Sequence, residues 1–254
     1  MRSRIQKTRS IAGLIVALAL GTGVFVASLH AQESEGKVQR LGAADVHEKI
    51  VSGDRIFVIN TMSPIECLDH TIESSICIPC PQFEKLAPVK LPDKEAFLIF
   101  FCESAGCHRS MHAAQKALLM GYTQVAVLDG GMPSWKEAGF EVASTKRIPR
   151  RGIQSIKAKG LKKLMDNDAE HLLIVDIRSP DLYDEHHIPG AVNIGFDELH
   201  ERYHELPMDK SVLVVDERGY RSFLAACYLS WKGYVDIRRL FGGYAGLGCS
   251  PFGG

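Results

Sequence analysis

The chain has 254 residues, 46% hydrophobic and 24% charged, enough apolar content to bury a core and enough length for one large or two small domains. That balance excludes a disordered chain. Lys plus Arg equals Asp plus Glu at 30 each, so no basic excess draws the protein to a polyanion, and no nucleic acid is expected as a partner.

The N-terminus departs from this composition. Arg2, Arg4, Lys7 and Arg9 precede an uncharged stretch from Ile11 to Leu29, the order of an export signal. His30-Ala31 followed by Gln32, Glu33, Ser34 and Glu35 predicts cleavage after Ala31, so residues 1–31 read as a signal peptide. The stretch is 19 residues long, close to the ~20 that span a bilayer, and the alternative is an uncleaved N-terminal membrane anchor. Membrane contact is expected only in that case. Either way the basic flank stays inside, and the remainder is expected in the periplasm or otherwise exported. Removing the four basic residues leaves 26 against 30 acidic, a mildly acidic mature chain.

Two halves then repeat one another in order. In the first, a near-continuous apolar run from Ile56 to Asn60 precedes Ser63-Pro64, and a second run, Phe97 to Phe101, precedes a nine-residue loop. Ala113, Ala114, Ala117 and Leu118 follow at helical spacing between Ser110 and Met120, with Gly121 as a C-terminal cap. Gly130-Gly131 closes the unit. The basic segment Ala143 to Ser155, with Pro149 and Gly152, reads as a linker. The second half gives Leu172 to Asp176, Ser179-Pro180, Val212 to Val215, a helix from Ser222 to Trp231, Gly233, and Gly242-Gly243. Ser63 and Ser179 are 116 apart, while Ser110 and Ser222, Gly121 and Gly233, and Gly130 and Gly242 are each 112 apart. Apolar runs without alternation are strands covered on both faces. The expected class is therefore α/β, with two domains, 38–142 and 156–254, each a central parallel sheet flanked by helices.

Chemistry is expected in the loop Cys102-Glu103-Ser104-Ala105-Gly106-Cys107-His108-Arg109-Ser110. A loop running from a parallel strand into a helix turns backbone N–H groups inward under the positive end of the helix dipole. Such a place binds anions and lowers a thiol pKa from about 8.5 into the ~3.5–7.5 range. Cys102 is the candidate nucleophile, with Glu103 to Ser110 as an anion cradle and Arg109 as a fixed positive charge. Cys107 is near enough to form a disulfide with Cys102 or to resolve its oxidised form, with a spectator role as the alternative. In the second half the matching loop is Asp216-Glu217-Arg218-Gly219-Tyr220-Arg221-Ser222, with a carboxylate where the thiol should be. Cys102 and Ser110 are 8 apart but Asp216 and Ser222 only 6, so the first loop is two residues longer.

The chain has seven cysteines, Cys67, Cys77, Cys80, Cys102, Cys107, Cys227 and Cys249, an odd number that leaves at least one thiol free, intermolecular or modified in an oxidising compartment. Cys77-Ile78-Pro79-Cys80 reads as a disulfide or two plain thiols, with a redox pair as the sharper alternative. Cys67 and His70 match no zinc template, so no metal is expected, nor any cofactor. The pairs His186-His187 and His200, His204 read as surface residues, and Asp129 and Glu103 as borders of the cleft.

In their order, "VDIRSP", "HIPGAVNI", "DERGYRS" and "LFGGY" in the second half, and "CESAGCHRS" and "GYTQVAVLDGGMPSWKEAGF" in the first, resemble the rhodanese family of thiosulfate sulfurtransferases over essentially all of the chain after residue 31. The resemblance implies sulfur transfer: Cys102 would accept a sulfane sulfur from a small anionic donor and pass it to a thiol acceptor. It implies that Asp216 and Arg221 mark a degenerate second site, since a carboxylate cannot carry a persulfide. The related phosphatases carry Cys-x5-Arg, whereas Cys102 to Arg109 is Cys-x6-Arg. The competing readings are a rhodanese-shaped binding or scaffold protein and a thiol-disulfide redox protein using Cys102/Cys107 or Cys77/Cys80.

Overall fold

A computed structural model describes residues 37–53 and 55–248. The expected signal segment 1–31 and Cys249 lie outside the described residues. The first half runs β1 (Gln39–Leu41), α1 (Ala43–Ser52), β2 (Ile56–Asn60), α2 (Pro64–Asp69), β3 (Ile76–Cys77), α3 (Phe83–Lys90), β4 (Phe97–Phe101), α4 (Arg109–Leu119), β5 (Gln124–Leu128) and α5 (Gly131–Glu137). The second runs β6 (Gln154–Ile156), α6 (Ala158–Asp168), β7 (Leu172–Asp176), α7 (Pro180–Glu185), β8 (Val192–Asn193), α8 (Leu199–Arg202), β9 (Ser211–Val215), α9 (Arg221–Trp231) and β10 (Ile237–Leu240).

Every strand pair is parallel, in the orders β1-β5-β4-β2-β3 and β6-β10-β9-β7-β8. Matching β1 to β6, β2 to β7 and so on makes the two orders identical, so the expected pair of α/β domains with parallel sheets is present. Ser110 and Ser222 are each the second residue of equivalent helices, α4 and α9. Alternate residues of β4 feed opposite faces, as the period of a strand requires. Leu98 and Phe100 pack with Phe83, Ala113 and Ala117 on one side, and Ile99 and Phe101 with Val46, Met132 and Trp135 on the other. In β9, Val212 and Val214 face Ala225 and Leu229, and Leu213 and Val215 face Leu161 and Ile188.

The halves are not beads on a string. Ile65 of α2 and Ile148, from the segment between the halves, are fully buried in the same apolar cluster as Ala225, Ala226 and Leu229 of α9. The segment expected to be a linker is itself held down. Thr71 and Ala143 exchange two backbone hydrogen bonds of 2.9 Å, and Arg150 Nη2 donates to Asp69 Oδ2 at 2.6 Å. At the start of α2, Ser63 Oγ accepts from the Glu66 amide and Glu66 Oε2 accepts from the Ser63 amide at 2.8 Å, a reciprocal cap with Pro64 as the first helical residue.

Cys67 of α2 and Cys77 of β3 form a disulfide, leaving Cys80 as a buried free thiol. The reading of Cys77 and Cys80 as a redox pair is thereby corrected, for a reason the sheet supplies. Cys67 and Cys77 pack in the α1/α5 layer, whereas Cys80 packs in the α3/α4 layer. Replacing both Cys67 and Cys77 by Ser is expected to lower unfolding free energy by about 2–3 kcal/mol, the loop-closure value for a bridge of this span. Urea denaturation of the variant and the parent checks it, and coincident curves would show that the bridge contributes nothing.

Candidate active site

The loop between β4 and α4 holds two of the free cysteines in contact. Cys102 follows the last residue of β4 and is only 1% exposed. Its Sγ lies 3.4 Å from the Cys107 carbonyl oxygen, 3.7 Å from that of Ser104 and 3.5 Å from Ser110 Oγ. A thiol donating to Cys107, buried and facing carbonyl oxygens, keeps its proton, and these surroundings push Cys102 upward. Cys107 is half-buried and accepts from Arg109 Nε at 3.3 Å. The hydrogen bond from Cys102 lowers Cys107 most; burial opposes it, and the Arg109 charge, side chain and amide add to it, bringing it to about 5. The two thiols are thus pushed in opposite directions, Cys102 up and Cys107 down, with Arg109 beside the lowered one.

The rest of the expected cradle divides. Ser110 is buried beneath Cys102, while Ser104, Ala105, Gly106 and His108 are exposed along the loop. The Cys107 amide is spent inside the loop on the Ser104 carbonyl at 3.0 Å, so the two extra residues coil into a turn that aims carbonyls at Cys102. The short loop of the second half does the reverse. Asp216, 5% exposed, accepts from the Gly219 amide and the Arg221 amide at 2.8 Å each. Its own carboxylate occupies the anion position that these amides create.

Arg109, expected as a fixed positive charge for a substrate anion, already has carboxylates beside it. Its guanidinium lies against Glu66, Nη1 at 3.2 Å from Oε2 and Nη2 at 3.5 Å from Oε1, with Asp197 Oδ1 at 3.8 Å. Arg221, the equivalent residue of the second half, brings its Nε to 3.8 Å from Glu66 Oε1. Burial alone would push Glu66 up, but Arg109 and Arg221 more than offset it, and the carboxyl is held below its ordinary value. Asp197 moves the other way: burial pushes it up against the opposing pull of Arg109, and its Oδ1 has no hydrogen-bond partner. A cleft of about 600 Å³ lies over the Asp216 loop, lined by Asp197, Asp216, Tyr220 and Arg221 with Pro81 and Gln82 from the first half.

The Gly-Gly turns seat both loops. Gly131 has φ +61°, and a Cβ there would lie 2.6 Å from the Cys102 carbonyl oxygen, which accepts from the Met132 amide at 3.0 Å. Gly243, at φ +62°, approaches the Asp216 carbonyl oxygen within 2.5 Å of a notional Cβ, and the Tyr244 amide donates to that oxygen at 2.7 Å. Only glycine permits both the left-handed backbone and the approach.

Sequence reasoning missed Glu66, His70 and Asp197. Ser63-x-x-Glu66 was legible as a capping signature, but nothing in the sequence joins Asp197 to Arg109. Of the residues set aside as surface or border, Asp129 pairs with Arg40 at 2.9 Å, and His200 is instead bound through Nδ1 to the Tyr228 hydroxyl at 2.9 Å. His70 stands between Asp69, 3.1 Å from Nδ1, and Glu103, 2.5 Å from Nε2, tying the reactive loop to the end of α2. Burial works against its proton, but Glu103 and then Asp69 outweigh that, and His70 is raised above its usual value. A raised folded value means that its contribution is complete below about pH 6.5 and is lost as pH climbs through the folded value. The His70 ring should therefore titrate above about 6.5 by NMR and move down in Glu103→Gln. A midpoint below that value would contradict the latch.

A sequence model of the Rhodanese-like domain matches residues 43–138 and again 157–247. The chain is 29% identical over 99 residues to the thiosulfate sulfurtransferase GlpE of Pseudomonas syringae pv. syringae, covering 39% of this chain and 83% of the relative. It is 36% identical over 76 residues to a sulfurtransferase of Allochromatium vinosum, covering 30% and 71% respectively. Among solved structures, a thiosulfate sulfurtransferase from Pseudomonas aeruginosa aligns at 20% identity and TM-score 0.41, over 83% of this chain and 44% of the other.

Proposed function

The chain belongs to the family of rhodanese-like domains, and we propose that it is a sulfurtransferase whose first domain takes up sulfane sulfur on Cys107, with Cys102 as the proton donor beside it. One observation carries the choice of sulfur: Cys107 is partly exposed with Arg109 Nε donating to it at 3.3 Å, whereas Cys102 is 1% exposed with its Sγ among the carbonyl oxygens of Ser104 and Cys107. The thiolate, not the thiol, is the nucleophile. With thiosulfate as donor, the Cys107 thiolate attacks the outer sulfur, the S–S bond of the donor breaks, and sulfite leaves with its electron pair. The persulfide that remains is attacked at its outer sulfur by a thiolate acceptor, which restores Cys107. Arg109 positions the Cys107 charge and spreads the charge of the persulfide; its own position is fixed by Glu66.

A second reading keeps Cys102 as the carrier. It is favoured by chain position, because Cys102 follows β4 as Asp216 follows β9, and by the Ser110 hydroxyl at 3.5 Å. The second domain is catalytically silent in both readings: its loop amides are occupied by Asp216, and that loop has no cysteine. Its role is to cover α2 and supply Asp197 and Arg221 to the charge cluster. The basic-then-apolar order of the first thirty-one residues and the Cys67–Cys77 bridge support an extracytoplasmic location for the mature chain.

Mass spectrometry after thiosulfate treatment separates these readings. Under the proposal, Cys107→Ser no longer gains the sulfur of about 32 Da, while Cys102→Ser still does and Asp216→Ala takes up sulfur as the parent does. Loading that survives in Cys107→Ser and is lost in Cys102→Ser transfers the role to Cys102. Loading lost in Asp216→Ala alone overturns the assignment of the working domain.

A further inference from the structure

From a buried and a reachable cysteine packed together in one loop we infer a second outcome for bound sulfur: Cys102 displaces it from Cys107 as hydrosulfide, leaving a Cys102–Cys107 disulfide, so that the domain reduces sulfane sulfur as well as moving it. The inference rests on sulfur uptake at Cys107 as proposed above.

Cys102 is 1% exposed, so an external donor or acceptor does not reach it, and the group it can react with is whatever Cys107 carries. Its Sγ lies 3.4 Å from the Cys107 carbonyl oxygen, and Cys107 packs against the apolar cluster that holds Cys102, so Cys102 sits beside the residue whose own sulfur would be the inner one of a persulfide formed there. Attack at the inner sulfur and attack at the outer sulfur have different products. The outer sulfur extends away from Cys107 toward the open side of the loop, where an external thiol would take it. The inner sulfur stays on the residue that packs beside Cys102, and attack there expels the outer one. A single-cysteine loop lacks this route, and so does the second domain, where Asp216 stands alone among its amides.

The step balances. Cys102–SH and Cys107–S–S⁻ give Cys102–S–S–Cys107 and HS⁻. The Cys102 proton passes to the departing sulfur, the sulfur lone pair of Cys102 forms the new S–S bond, and the old S–S pair leaves with hydrosulfide. The sulfane sulfur gains two electrons, and the two cysteines lose them. A further turn requires an external dithiol to reopen the bridge by thiol-disulfide exchange. The Cys67–Cys77 bridge is already closed and is a separate pair in the step.

The test uses the full chain with Cys102 and Cys107 reduced, thiosulfate as the probe, no added thiol, and excess thiosulfate removed after loading. The inference expects about one hydrosulfide released per chain, together with a loss of about 2 Da in the tryptic peptide from Glu95 to Arg109, which contains both cysteines. Cys102→Ser should instead keep its added sulfur and release no hydrosulfide until an external thiol is supplied. A parent chain that gains sulfur and holds it without release overturns the inference while leaving sulfur transfer standing. A parent chain that never gains sulfur overturns both. The peptide mass in the parent decides the matter independently of how well the Cys102→Ser chain folds.

Discussion

Glu66 is a carboxylate buried to 4% exposure at the junction of the two domains, and a buried charge survives only if it is paired. Its partners are Arg109 and Arg221, the first residues of α4 and α9, which the duplication makes equivalent. The same carboxylate caps α2 through the Ser63 amide. One side chain thus fixes the helix that bridges the domains, brings both loop arginines to one point, and sets where the Arg109 guanidinium lies against Cys107. Removing it would leave two arginines without their common counter-ion, and the placement of the loop charge would go with it.

The two loops show how one fold accommodates opposite uses of the same place. In the shorter loop the amides converge, and an internal carboxylate satisfies them, so the anion site is filled by the protein itself. In the longer loop two added residues turn carbonyls toward Cys102, which favours a protonated sulfur there, and move the negative charge outward to Cys107. The change is one of backbone direction before it is one of side-chain identity. The Gly130-Gly131 and Gly242-Gly243 turns hold the base of each loop in the same way, and the surrounding sheets share one strand order although the loop chemistry differs.

Much of the fold was legible. Continuous apolar runs such as Phe97 to Phe101 gave parallel strands, the constant offset of 112 gave the duplication, and Gly121 and Gly233 marked helix ends with φ of +86° and +105°. The reactive loop was also legible as a segment, because a cysteine between a buried strand and a helix start is a position with a physical meaning. What the sequence did not carry is the partition of charge inside it. Whether Cys102 or Cys107 holds the proton depends on which backbone groups face each sulfur, and that depends on how the extra two residues coil. The pairing of Cys67 with Cys77, and not of Cys77 with Cys80, depends on sheet faces in the same way. Asp197 was invisible because it arrives from the other domain, more than eighty residues away from Arg109 along the chain.

The central claim is that this loop keeps one thiolate, on Cys107, at neutral pH. The most direct measurement is a pH titration of the ultraviolet thiolate absorbance of the intact chain. The account predicts one thiolate whose absorbance appears with a midpoint of about 5 and is missing from Cys107→Ser. A first midpoint near 8.5, the value of a free thiol, would contradict it.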